Sequence, residues 1–204
     1  MNQDIDRPDA LPLTHADYRR AGAIIGASFA DDPVNRWVFG KQSGIAAYFT
    51  LIAKKQYLVN GYGHGTGDLG ATLWIRSEFH KALPLLQSLD IAASIIWNSG
   101  LGALIRGLKL DEGMAGQHPT EPHHYLYAIG TRPEAQGKGL GGKLMTAGLE
   151  CVDAEKSAAY LESSKASNIP FYKRFGFELM GELIPTDGCP PMYPMWREPR
   201  GEIF

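Results

Sequence analysis

Residues Pro133 to Leu144 read PEAQGKGLGGKL, four glycines within six positions running into a segment of helical periodicity. A helix N-terminus carries unpaired backbone donors and the positive end of a dipole, so a flexible loop that feeds one is a cradle for an anion. Glycine suits such a loop because the chain must take positive φ and let the anion approach the backbone closely. Which anion is held there decides the fold.

Three spacings overlap in these letters. Gly137-x-Gly139-x-x-Gly142 has the spacing of a dinucleotide-binding turn, and Gly137-x4-Gly142-Lys143 follows a nucleotide P-loop up to its last position. Gln136-x-x-Gly139-x-Gly141 has the spacing of a coenzyme A pyrophosphate loop. Working outward, Tyr125-Leu126-Tyr127-Ala128-Ile129 reads as a strand and Leu140 to Ala154 as a helix with Leu140, Leu144, Ala147 and Cys151 on one face. Ala158-Ala159-Tyr160-Leu161 is a second strand, and Glu162 follows it where a ribose-binding acid would stand. Against a dinucleotide site, Thr131 to Gln136 separate the strand from the first glycine, and only Ser163 to Phe204 remain to build a second half-sheet. The P-loop fails at Leu144, which offers no hydroxyl to Mg²⁺. The coenzyme A spacing accommodates both the gap and the leucine.

Its partner motif lies downstream, in Phe171-Tyr172-Lys173-Arg174-Phe175-Gly176-Phe177. With a strand, a Pro-Glu-x-Gln-Gly-Lys-Gly-x-Gly loop and a Tyr-x-x-x-Gly-Phe ending, Tyr125 to Met180 resembles the GNAT superfamily of acyl-CoA N-acyltransferases. The resemblance implies an α/β fold with a mixed, mostly antiparallel sheet, two splayed parallel central strands and flanking helices. It also implies acetyl-CoA as acyl donor. Gln136 and the backbone of Gly137, Lys138, Gly139, Leu140, Gly141, Gly142 and Lys143 would then surround the pyrophosphate, and Ile129, Gly130 and Thr131 would pair with the pantetheine arm. One amide of that strand would face the thioester oxygen as charge develops on it. Tyr172 falls on the family's general acid, which protonates the departing thiolate. The asparagine that commonly contacts the pantetheine stands seven residues before the tyrosine in the family; Lys165 occupies that place here, and Asn168 is the nearest substitute.

An amine acceptor arrives mostly as ammonium, so a base must take its proton. Period-two alternation puts His123, Tyr125 and Tyr127 on one face of the strand and His124 on the other. Family resemblance places the base on this strand, where Tyr125 and Tyr127 fall on its usual position; His123 has the right pKa with a longer reach, and Glu162 at the end of the second strand is the remaining candidate. A tyrosine is a poor base and better suited to ordering a water chain. The adjacent pair His123-His124 points apart and has no further Cys, His or Asp cluster beside it, so no metal is expected. Asp31-Asp32-Pro33 either stops a helix or brings carboxylates to the mouth of an amine pocket. Cys151 and Cys189 form no C-x-x-C pattern, and neither is placed as an acyl carrier.

The rest of the chain sets bounds. At 204 residues, 44% hydrophobic and 21% charged, it reads as one soluble domain over 1–204; a net charge of -2 without clustered basic residues gives no nucleic-acid footprint. Helices are expected from Tyr18 to Phe29 behind Thr14 and Asp17, from about Ile45 to Leu58, and once or twice between Phe79 and Leu110. Glycine-broken turns run from Gly61 to Gly70, a strand from Ala71 to Ile75, and a polar loop from Asp111 to Pro122. A short helix from Ile169 to Phe175 and strands at Phe177–Met180 and Pro191–Arg197 complete the order. The helical segment at about 78–122 is an insertion where the family has a short turn, fit to shape the acceptor pocket or to form a homodimer surface. Polar residues interrupt Ile91 to Ile105, and the N-terminus has no signal-peptide core, so a cytoplasmic protein without membrane contact is expected. The expected activity is transfer of an acetyl group from acetyl-CoA to a primary amine of a small molecule, by direct attack in a ternary complex. The alternative is a non-catalytic acyl-CoA sensor whose insertion reaches a partner.

Overall fold

The computed structural model describes residues 9–80 and 84–200. The N-terminal stretch before Asp9, part of the insertion at 81–83 and the last four residues lie outside that description. Seven strands form one sheet: β1 (Leu11–Pro12), β2 (His64–Thr66), β3 (Gly70–Arg76), β4 (His123–Thr131), β5 (Ala158–Ser163), β6 (Glu178–Leu179) and β7 (Tyr193–Arg197), ordered β1-β2-β3-β4-β5-β7-β6. Every neighbouring pair is antiparallel except β4 and β5. The mixed sheet with a central parallel pair is the architecture implied by the glycine loop.

Side-chain alternation divides the core between the two faces of the sheet. Leu73 and Ile75 of β3, Tyr125 of β4 and Tyr160 of β5 join one cluster. Trp74, Leu126, Ala159 and Leu161, their neighbours in sequence, join the other. The first face is covered by α1 (Tyr18–Ser28), α2 (Pro33–Phe39), α3 (Gln42–Ile52), α5 (Leu85–Ser99) and α6 (Leu101–Ala115), with α3 passing through a wide turn at Ala53–Tyr57 into α4 (Leu58–Asn60). The second is covered by α7 (Leu140–Ala154) and the short α8 (Ile169–Lys173).

Three elements differ from their sequence expectation. Asp31-Asp32-Pro33 does more than stop α1, because Asp32 caps α2: its Oδ1 accepts from the Asn35 amide at 2.9 Å, and Pro33 occupies the first helical position. The expected helix from Ile45 to Leu58 starts earlier, at Gln42, and stays helical while widening to a π-helical turn at Ala53–Tyr57. The expected polar loop from Asp111 is helical to Ala115, since Leu110 and Met114 prolong the inward i, i+4 face of α6. The apolar stretch from Ile91 is a helix pair bent at Gly100, and no helix among the described residues is long and apolar enough to cross a membrane. The outer faces of α5 and α6 leave Leu85, Leu86, Leu89, Trp97, Leu101 and Leu108 in solvent, the kind of surface that marks an interaction site.

Two irregularities of β4 open the middle of the sheet. Parallel pairing with β5 covers only His123↔Ala158, His124↔Ala159 and Tyr125↔Tyr160; from Leu126 to Thr131, β4 stays paired to β3 while β5 continues against β7. The strands part, and an edge of β4 faces the gap. Opposite β3, Leu73 pairs with Ala128 and Trp74 with Leu126, so Tyr127 is an extra, bulged residue. The bulge sends both Tyr127 and Ala128 to the α1–α3 face.

Candidate active site

The glycine loop fills the space between β4 and α7. A 3₁₀ turn at Pro133–Ala135 takes up the gap noted in sequence, Gln136 is extended, and Gly137 and Gly139 adopt φ of 73° and 80°, with Gly139 capping α7. The amides of Gly142 and Lys143 return to the Gly139 carbonyl at 3.1 and 3.3 Å. Those from Gly137 to Gly141 come before this first turn, in the position where a helix presents donors to an anion. Gln136 Nε2 donates to the Thr131 carbonyl at 3.5 Å and ties the loop to the end of β4. Leu140 is buried in the core and can offer only its backbone. Lys138 is exposed, whereas Lys143 Nζ lies 3.0 Å from Asp9 Oδ1. The loop is backed by α8, whose Phe171 ring faces Gly141 and carries the Arg174 guanidinium 5.6 Å from its centroid.

Along the open edge of β4 stand Ile129, Gly130 and Thr131. The missing side chain of Gly130 serves packing, because a Cβ there would lie 2.6 Å from Ser28 Cβ on α1. Tyr172 of α8 sits among Leu126, Met145, Leu149 and Leu161, on the α7 side of the sheet. Burial, and secondarily the charge of Asp32, push its phenol well above the usual tyrosine range. Asp32 is buried and bonded to the Ser164 hydroxyl just past β5. The helix bearing Tyr172 is fastened by Arg197, which donates to the Phe175 carbonyl at 3.0 Å and makes a double contact with Asp153 of α7 at 2.7 and 2.9 Å. Asn168 is exposed at the start of α8, and Lys165, in the place of the family asparagine, pairs with Asp31 at 2.8 Å.

On the opposite face, where β4 and β5 part, Tyr125 Oη donates to Glu162 Oε2 at 2.5 Å. Burial and the Glu162 charge hold the Tyr125 phenol far above its ordinary value. In this pair the carboxylate is the acceptor, and a tyrosine so strongly protonated is no base at neutral pH. Glu162 is 6% exposed, with Tyr125 on one carboxylate oxygen and His118 Nδ1 3.5 Å from the other. His123 lies behind, with Nδ1 2.7 Å from the Glu121 carbonyl, and burial lowers its pKa. His124 points to the α7 side, as alternation requires, and is held by Tyr62 at 2.8 Å and Glu155 at 3.1 Å.

Several residues around this face escaped the sequence reading. His118 and His80, at the two ends of the inserted helix pair, meet Tyr125 edge to face with ring centroids 5.0 and 4.9 Å away. Tyr48 bonds Tyr127 hydroxyl to hydroxyl at 2.7 Å, and Tyr57 stacks on Tyr127 at 4.3 Å. Asp111 on α6 is reached by solvent, yet it is walled closely enough that desolvation raises its carboxyl to about 6, and its charge in turn raises Tyr48. Among the described residues no group of His, Cys, Asp and Glu could hold a metal ion. Burial raises both thiols, Cys151 and Cys189, which disfavours the nucleophilic thiolate.

Comparison with known proteins agrees with this geometry. The profile of the acetyltransferase (GNAT) domain matches residues 101–179. An uncharacterized N-acetyltransferase of Schizosaccharomyces pombe is 36% identical over 213 residues, covering 91% of this chain and 81% of that protein. An L-methionine sulfoximine/L-methionine sulfone acetyltransferase of Pseudomonas aeruginosa is 27% identical over 113 residues, 54% of this chain and 59% of its own. Among solved structures, one described as histone acetyltransferase HPA2 and related acetyltransferase, from Corynebacterium glutamicum, superposes with a TM-score of 0.68 at 26% identity, covering 97% of this chain and 99% of that one.

Proposed function

The chain belongs to the GNAT family of acetyltransferases, and from that premise we propose that it moves an acetyl group from acetyl-CoA to a primary amine of a small molecule by direct attack in a ternary complex. The whole described chain acts as one catalytic domain, with α5 and α6 as an insertion that walls the acceptor side. The observation that carries this reading is the gap between β4 and β5, with a proton donor on one face of the sheet and a proton acceptor on the other.

The residues divide the work as follows. The amides from Gly137 to Gly141 at the start of α7, with Gln136 and Lys138 beside them, bind the donor's pyrophosphate. The open edge of β4 at Ile129, Gly130 and Thr131 pairs with the pantetheine amides, and one of its N–H groups stabilises the oxyanion as the nitrogen attacks the thioester carbon. Glu162, oriented by Tyr125, takes the ammonium proton before attack. As the C–S bond breaks, Tyr172 gives its proton to the departing thiolate, and the second proton of the attacking nitrogen restores the phenol. Overall one proton leaves the site for each amide formed. Asp111, with the Tyr48 and Tyr127 hydroxyls, gives the acceptor side the negative and polar character that suits a cationic amine. Methionine sulfoximine, the substrate in the name of the Pseudomonas relative, likewise contains a primary amine.

The test is acceptor-dependent CoA release across a panel of aryl-alkyl, polyamine and amino-acid amines, with initial rates measured against both substrates. Intersecting double-reciprocal lines are expected, because no cysteine serves as acyl carrier. Parallel lines would contradict direct attack, and tight acetyl-CoA binding without acceptor-dependent release would favour an acyl-CoA sensor instead.

A further inference from the structure

The base proposed above has a partner that the inserted helices deliver. We infer that His118, in the segment leaving α6, is the positioning residue through which Glu162 takes and holds the amine proton: the His118 and Glu162 side chains act as one proton-accepting dyad. The inference rests on the acetyltransferase reading and adds to it the part of the chain that carries the proton away.

The ring hydrogens can be accounted for one by one. His123 Nδ1 lies 2.7 Å from the Glu121 carbonyl, which can only accept, so that nitrogen carries the hydrogen. A neutral His123 then has a bare Nε2. That atom is 3.2 Å from His118 Nε2, which must therefore be the donor. With its hydrogen on Nε2, a neutral His118 turns the lone pair of Nδ1 toward Glu162 Oε1, 3.5 Å away. Lone pair and carboxylate repel, and a proton between them turns the repulsion into a charge-assisted hydrogen bond. The other oxygen of Glu162 is already fixed by the Tyr125 hydroxyl. Two rigid neighbours thus leave one vacancy for a proton, on the line joining His118 and Glu162.

The surroundings give that proton a direction. Glu162 is 6% exposed at the point where the strands part, whereas the His118 side chain is 20% exposed. An ammonium beside Glu162 loses one proton, the N–H bond breaks, and the proton comes to rest on His118 Nδ1 as an imidazolium, from which solvent removes it. The groups facing His118 are His80 from the turn after β3, His123 and Tyr125 from β4, and Tyr160 and Glu162 from β5. Of these only Glu162 brings negative charge; His80 and His123 are held neutral by burial, and the tyrosines stay protonated. The insertion therefore contributes part of the proton path as well as a wall.

The test compares wild type with His118→Asn, which keeps a donor toward His123 and has no proton-accepting nitrogen. The expected result is at least a tenfold fall in kcat/KM at pH 7, shrinking as pH rises and free amine becomes abundant, with partial recovery in added imidazole. A fall of equal size at every pH, unmoved by imidazole, would overturn the dyad while leaving the transferase intact. Wild-type protein that releases no CoA with any amine would remove the acetyltransferase reading and the dyad with it. On the unaltered protein, ¹⁵N–¹H correlation of the histidine rings should show the ring hydrogen of neutral His118 on Nε2. A His118 that carries its hydrogen on Nδ1 in the neutral form contradicts the accounting.

Discussion

Tyr172, in the acid role proposed for it, illustrates how burial and charge hold a proton on a single residue. Its phenol is pushed above the ordinary tyrosine value by desolvation first and by Asp32 second, so it is always protonated at working pH. An ordinary phenol titrates near 10 and an ordinary thiol near 8.5. Donation to a thiolate is therefore uphill, and the proposed mechanism has the proton given only as the C–S bond breaks and restored from the attacking nitrogen. Tyr172→Phe removes the proton and little else from a packed site. It should lower kcat at least tenfold with acetyl-CoA affinity retained; unchanged turnover would take Tyr172 out of the acid role. The motif that carries the residue was legible in sequence because it is local, seven consecutive positions from Phe171 to Phe177. The base was not. Glu162 and Tyr125 stand 37 positions apart, and their pairing with His118 depends on where an inserted helix ends, which no short motif records.

At the scale of elements, the loop and the strand–loop–helix–strand unit around it follow from the letters of PEAQGKGLGGKL, because glycine spacing reports backbone directly. Less visible were α2 and the β4 bulge. Asp-Asp-Pro is as good a start as a stop, since an aspartate caps and a proline opens the first turn, and periodicity over seven residues cannot separate the two uses. The bulge at Tyr127 leaves no composition signal, yet it turns a second residue toward the acceptor side. The placement of this face depends on how closely α1 and α3 approach. At Gly22 a Cβ would fall 2.4 Å from Thr50 Cα, which is backbone and cannot swing aside. Gly22→Ala should destabilise the fold by about 1–3 kcal/mol through overpacking, visible as a lower urea midpoint at an unchanged slope. A midpoint equal to wild type would show that the two helices have slack between them.

Over the whole molecule, the mixed sheet does two things at once. Its antiparallel flanks and the helices on both faces bury a core on each side, and the parallel pair β4–β5 parts after three residue pairs, leaving a gap in the middle of the sheet. In the proposed reading, donor binding on the α7 side and acceptor chemistry on the α1–α6 side meet in the gap, with acid and base on opposite sides of the sheet. The central claim is that loop and gap together bind an acyl-CoA, and ligand-dependent thermal unfolding tests it most directly. Acetyl-CoA, CoA, Mg-ATP and NADH are each added near 100 times a micromolar Kd. Native-state binding at that level adds about 2.7 kcal/mol, which should raise Tm by roughly 5–10 °C for a chain of this size. A shift with the two CoA species and none with the nucleotides is the predicted result; a shift with Mg-ATP or NADH and none with CoA would contradict the account at its base.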